Sequence, residues 1–93
     1  MTKTQSDISK PTIHINGTSA SDLLETHVAA YRALNAAYEV VSNAHPNARD
    51  YYPQGPDAYT KASKQNEERL KKLRQMSDEF LALAEHCQEF IRE

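Results

Sequence analysis

Every proline and glycine in this chain falls in one of two places. Pro11 and Gly17 lie near the start, and Pro46, Pro53, Gly55 and Pro56 lie together in the middle. Between Gly17 and Pro46, and again after Pro56, nothing breaks a helix. A 93-residue chain with that punctuation can hold two long helices joined by one loop, and little else.

The first helix is expected over about 20–44. Ser19 is a good N-cap, with Asp22 in capping-box position. Pro46 stops the helix, because the residue before a proline is pushed out of the α region. The seam steps by three and four through Leu24, His27, Tyr31, Leu34, Tyr38, Val41 and His45. A second face carries Leu23, Ala30, Ala33, Ala37, Val40 and Ala44, leaving Glu25, Arg32 and Glu39 as the clear charged stripe. A helix so little polar around its girth is normally buried on more than one side.

The second helix is expected over about 57–92, opened by Pro56 and Asp57. At 1.5 Å per residue such a helix is roughly 54 Å long. Its seam is Tyr59, Ala62, Asn66, Arg69, Leu73, Met76, Phe80, Leu83, Cys87 and Phe90, widened by Leu70, Ala84 and Ile91. Before the helices, residues 1–11 read as a disordered tail, and Thr12–Asn16 as a short extended arm ending in an Asn16-Gly17 turn. Residues 12–93 then form one domain around a loop over 45–56. The expected fold is all-α: an antiparallel two-helix hairpin with an extended N-terminal arm.

Two helices alone cannot enclose a core. Ordering each residue costs about 1–2 kcal/mol of backbone entropy, and burial returns only about 25 cal/mol per Å². The hairpin is therefore expected to assemble into an oligomeric helical bundle with copies of itself. A monomer with its arm wrapped over the second face is the competing arrangement. The charges of helix 2 bear on this: residues 57–74 carry a net +3 and residues 75–93 a net −4. That order opposes the helix dipole. Antiparallel contact between two copies would set each basic half beside an acidic one. Local pairs such as Glu67–Lys71 and Glu68–Lys72 on a solvated face explain part of the same pattern.

Charge is nearly balanced over the whole chain, 11 basic against 13 acidic side chains, so no global field selects nucleic acid or an anionic membrane. The basic run Lys61, Lys64, Lys71, Lys72 and Arg74 is interrupted by Glu67 and Glu68, and no aromatic interleaves it. Met1–Lys10 lacks an apolar run, which points to no secretory leader, and no stretch approaches a membrane span. The cytosol is the expected compartment. Cys87 sits in the apolar stripe as an inert thiol. His14, His27, His45 and His86 lie far apart, without metal-ligand spacing. No phosphate loop or nucleophile elbow is present. The expectation is a protein that is not an enzyme, with no catalytic residues, no metal and no cofactor.

The interhelix loop is longer than closing a hairpin requires. Arg49, Asp50, Tyr51, Tyr52 and Gln54 are the candidate binding residues, since Tyr and Arg dominate recognition hot spots. The structural alternative has Arg49 capping the carbonyls of helix 1, Asp50 tying the turn, and the tyrosines plugging the bundle end.

The segments Ile13-His14-Ile15-Asn16-Gly17-Thr18-Ser19 and Pro46-Asn47-Ala48-Arg49-Asp50-Tyr51-Tyr52-Pro53-Gln54-Gly55 resemble a group of short accessory proteins of tailed bacteriophages and prophages. The resemblance covers residues 12–93. It implies a phage gene acting in the host bacterial cytoplasm and implies no activity. The hairpin is also similar in architecture to phage proteins that sequester cyclic nucleotide signals of host immunity, with no shared motif and no site residues to transfer. Three functions follow as expectations. The first is a binding protein that docks a host or phage protein, antagonising host defence. The second is a sponge that holds a small anionic ligand such as a signalling cyclic nucleotide in pockets between protomers, using Arg49, Tyr51 and Tyr52 with basic residues of helix 2. The third is a nucleic-acid-associated regulator.

Overall fold

The computed structural model describes residues 8–91; the expected disordered stretch up to residue 7 and the last two residues lie outside the described residues. Helix α1 spans Ala20–Asn43 and helix α2 spans Ala58–Gln88, with two short 3₁₀ turns, Ala48–Asp50 and Tyr52–Gln54, between them. The described residues contain no strand.

α1 begins where the sequence places its cap: Ser19 Oγ accepts from the backbone N–H of Asp22 at 3.1 Å. It closes one residue early. The Ala44 N–H is shared between Val40 O and Val41 O, both at 3.1 Å, and the His45 N–H turns back to Ser42 O at 3.2 Å. These shorter bonds tighten the last turn and take the chain out of the helix before Pro46. The start of α2 departs from expectation. Gly55 has φ +117, a left-handed conformation that favours glycine. That places Pro56 and Asp57 in a turn, and Ala58, not Pro56, begins the helix. At the other end α2 stops at Gln88, short of the expected 92. Phe90 and Ile91 bond three residues back, to Cys87 O and Gln88 O, in the tight manner of a fraying terminus.

The helices run antiparallel, as their contacts state directly. Ser63 meets His45, Asn66 meets Val41, Ser77 meets Asn35 and Phe80 meets His27, so α1 numbers fall as α2 numbers rise. Asn66 and Ser77 are buried at this seam, each hydrogen-bonded: Asn66 Nδ2 donates to Val41 O at 3.5 Å, and Ser77 Oγ donates to Asn35 Oδ1 at 2.8 Å. The arm packs at the far end. His86 donates from Nε2 to Pro11 O at 2.8 Å, with its ring edge-on to Phe90. Ala82 and Ala84 are both buried there although they point about 200° apart on α2.

Burial elsewhere is thin. The buried apolar residues are Ala20, Ala82, Ala84 and Cys87; no described Leu, Val, Ile, Phe, Tyr or Met is buried. The second face expected for α1 divides. Leu23, Ala30 and Ala37 are half-buried beside α2, whereas Ala33, Val40 and Ala44 are exposed. The molecule measures 61 × 26 × 20 Å. Its radius of gyration is 18.5 Å, against about 12 Å for a compact domain of this length.

Candidate functional site

At the loop end of the hairpin lies a groove of about 370 Å³, between α2, the last residues before the loop and the loop itself. Its floor is small: Ala58 and Ala62 from α2, with Ala44 and Pro46 from the end of α1. Ala58, Ala62, Gln65 and Arg69 follow the four-three-four spacing that lines one helix face. Lys61 and Asn66 stand on either side of that line. Tyr51 and Gln54 close the groove from the loop. These two share a face because the 3₁₀ turn spaces them by three residues, and the Gln54 N–H bonds to Tyr51 O at 2.9 Å.

Two local devices hold this end together. Asn47 Oδ1 accepts from the Arg49 N–H, and Asn47 O accepts from the Asp50 N–H, both at 2.9 Å. Asn47, not Asp50, therefore ties the turn. His45 bridges the helices: Nδ1 donates to Pro46 O at 3.0 Å, and Nε2 accepts from Ser63 Oγ at 3.3 Å. Its ring meets Tyr59 edge-on.

The groove is cationic and its cations are free. Among the described residues the one ion pair is Lys71–Glu68 at 3.6 Å, which leaves exposed Lys61 and Arg69 without carboxylate partners. Asn66, only 4 % exposed, presents an amide at the inner wall, and Gln54 and Gln65 add two more. Such a lining offers hydrogen-bond donors and acceptors, two positive charges and one aromatic face, over a floor with no bulky side chain.

The five loop residues proposed from sequence separate here. Tyr51 and Gln54 line the groove. Arg49, Asp50 and Tyr52 do not, and Tyr52 stands 73 % exposed. Sequence reasoning named site residues on the loop alone, invoked the basic residues of helix 2 only in general for an anionic ligand, and missed Gln65 and Asn66. The available signal was Arg69 and Asn66 interrupting an otherwise apolar helical seam.

A second groove of about 300 Å³ lies between Tyr31, Tyr38, Leu73 and Arg74. Its cation and its hydroxyl are already engaged: the Arg74 guanidinium sits 4.6 Å from the centre of the Tyr38 ring, and Ser77 bonds Asn35, while Glu39 and Asp78 add two carboxylates to its lining. The loop-end groove is the one whose lining carries cations and no carboxylate. Among the described residues no group of three or more His, Cys, Asp or Glu side chains is placed to hold a metal, and no helix is long and apolar enough to cross a membrane. Comparison with protein-family models, with curated proteins and with solved structures gives no match to this chain.

Proposed function

We propose that the protein is a non-enzymatic binding protein, assembled with copies of itself into a helical bundle, that captures an acidic segment of a partner protein in its loop-end groove. One observation carries this: Lys61 and Arg69 line a groove with small residues beside Tyr51, and neither cation has a carboxylate partner among the described residues. A peptide carboxylate can take both charges, while its backbone meets the amides of Gln54, Gln65 and Asn66. The absence of a large side chain on the floor leaves room for a main chain. The resemblance of residues 13–19 and 46–55 to phage accessory proteins supports a host or phage protein as the partner, in the host cytoplasm, with antagonism of host defence as the purpose.

The test is capture from host and infected cells by the wild-type chain and by a Lys61→Ala, Arg69→Ala double variant. Both side chains are exposed, so helicity should not change and stability should stay within about 0.5 kcal/mol. Partner capture should fall by about tenfold or more. Retained capture by the double variant removes the groove from the function.

A second reading is a sponge for a small anionic planar ligand such as a cyclic nucleotide. It is favoured by a tyrosine face between two cations in a groove of ligand size. A thermal-shift series decides between them: a ligand at a hundred times its dissociation constant stabilises by about 2.7 kcal/mol. A melt unmoved by millimolar cyclic mono- and dinucleotides removes the sponge.

A further inference from the structure

We propose that the outer ridge of α1 is the contact between two copies of this chain, packed antiparallel about a twofold axis that passes between Ala33 and Ala36. The proposal rests on the self-assembly part of the function above and gives it a surface and a register.

The ridge is the face of α1 turned away from α2. Thr26, Ala29, Ala33, Ala36, Val40 and Asn43 follow one another in steps of three and four, the spacing of a helix–helix seam, and every one is exposed. Val40 is 67 % exposed, although an isolated surface position gains nothing from a valine there. The ridge is apolar at its middle and polar at both ends. Laid antiparallel on itself, it pairs Ala33 with Ala36 of the second copy, Ala29 with Val40, and Thr26 with Asn43. Small faces small, each valine covers an alanine, and polar ends meet polar ends. Alanine lets the axes approach to about 8 Å.

The flanking charges favour the same register. Arg32 and Glu39 lie on one side of the ridge, seven residues apart, too far to meet on one helix. Neither belongs to an ion pair among the described residues. In an antiparallel helix pair, residues on the same side of the seam face each other. Arg32 therefore meets Glu39 of the second copy, and Glu39 meets its Arg32. A parallel pair would set both against the opposite side, which holds Ala30 and Ala37 and no charge.

Area supports a copy as occupant. The chain exposes 7134 Å², whereas surface-to-mass scaling gives about 5,400 Å² for a folded monomer of 10.5 kDa. The surplus of about 1,700 Å² belongs to the elongated chain as a whole, and it leaves room for the roughly 800 Å² that each partner buries in an interface of standard size.

Charge reversal with light scattering tests the register. The wild-type chain should have at least twice the 10.5 kDa mass. Arg32→Glu alone, and Glu39→Arg alone, each create two like-charge contacts per dimer and should raise the dissociation constant by about tenfold or more. The double variant Arg32→Glu, Glu39→Arg regenerates both pairs with their signs exchanged and should return the mass to the wild-type value. Circular dichroism should be unchanged throughout, since both side chains are exposed. A dimer indifferent to both single reversals, or a double variant that stays dissociated, overturns this contact and leaves self-assembly through another face standing. A wild-type monomer at micromolar concentration overturns this contact and the assembly reading together.

Discussion

Cys87 has no exposed surface, and its burial pushes the thiol above its ordinary value because desolvation disfavours the thiolate. The folded chain holds this proton more tightly than the unfolded chain does. Its contribution to stability is therefore complete below about pH 8.5, the ordinary cysteine value, and is lost as pH rises through the folded value. Melting temperature should fall more steeply between neutral pH and pH 10 in the wild type than in a Cys87→Ala variant. Equal slopes would mean that the thiol does not titrate differently on folding. The buried thiol was legible, because Cys87 continues an apolar stripe at helical spacing. Ser77 and Asn66 were harder. A buried serine is identified by the acceptor it finds, and Asn35 lies on the other helix, beyond the reach of any local pattern.

Breakers and caps made most of the element boundaries legible, and they failed where two signals overlapped. Ser19 and Pro46 act alone: α1 starts one residue after Ser19 and ends at Asn43, three residues before Pro46 and one short of the expected end. Gly55-Pro56-Asp57 carries three signals in succession. A proline there suits a first helical position, but the glycine before it turns left-handed and moves the helix on to Ala58. A Cβ at position 55 would meet nothing within 4 Å, so a Gly55→Ala change acts through the backbone alone. It should cost about 1 kcal/mol or more, read as a lower denaturation midpoint at unchanged slope. A neutral result would show that φ at 55 relaxes freely and that the turn does not set the start of α2. Such relaxation would also disturb Tyr51 and Gln54, since the Gly55 N–H bonds Tyr52 O at 3.1 Å within the same turn. The loop half of the site was legible for its aromatic and polar content. Its geometry was not, because Asn47 closes the turn through a side chain that only the folded backbone brings into place.

At the scale of the molecule, the hairpin follows from two breaker-free stretches, and the exposed Ala33 and Val40 from a first helix with few charges. The docking of the chain before α1 was not legible: the contact between His86 and Pro11, a residue read as part of the tail, spans 75 residues, and no periodicity reports on it. That contact also has a kinetic side. Bridging contacts close ever larger loops along the hairpin, from 18 residues at Ser63–His45, through 42 at Ser77–Asn35, to 75 at the arm. Closure entropy rises with each step, so the turn is the least demanding place to begin. Folding should run as a zipper from the loop end, with the chain before α1 docking last. Pulse-labelling hydrogen exchange during refolding should then protect amides near Val41 and Asn66 before those around Ala82–Cys87. The reverse order would place the nucleus at the arm. In a zipper of this kind the binding groove is complete while the far end of the molecule is still closing, so a chain emerging from synthesis or recovering from stress could engage a partner before its own arm has docked.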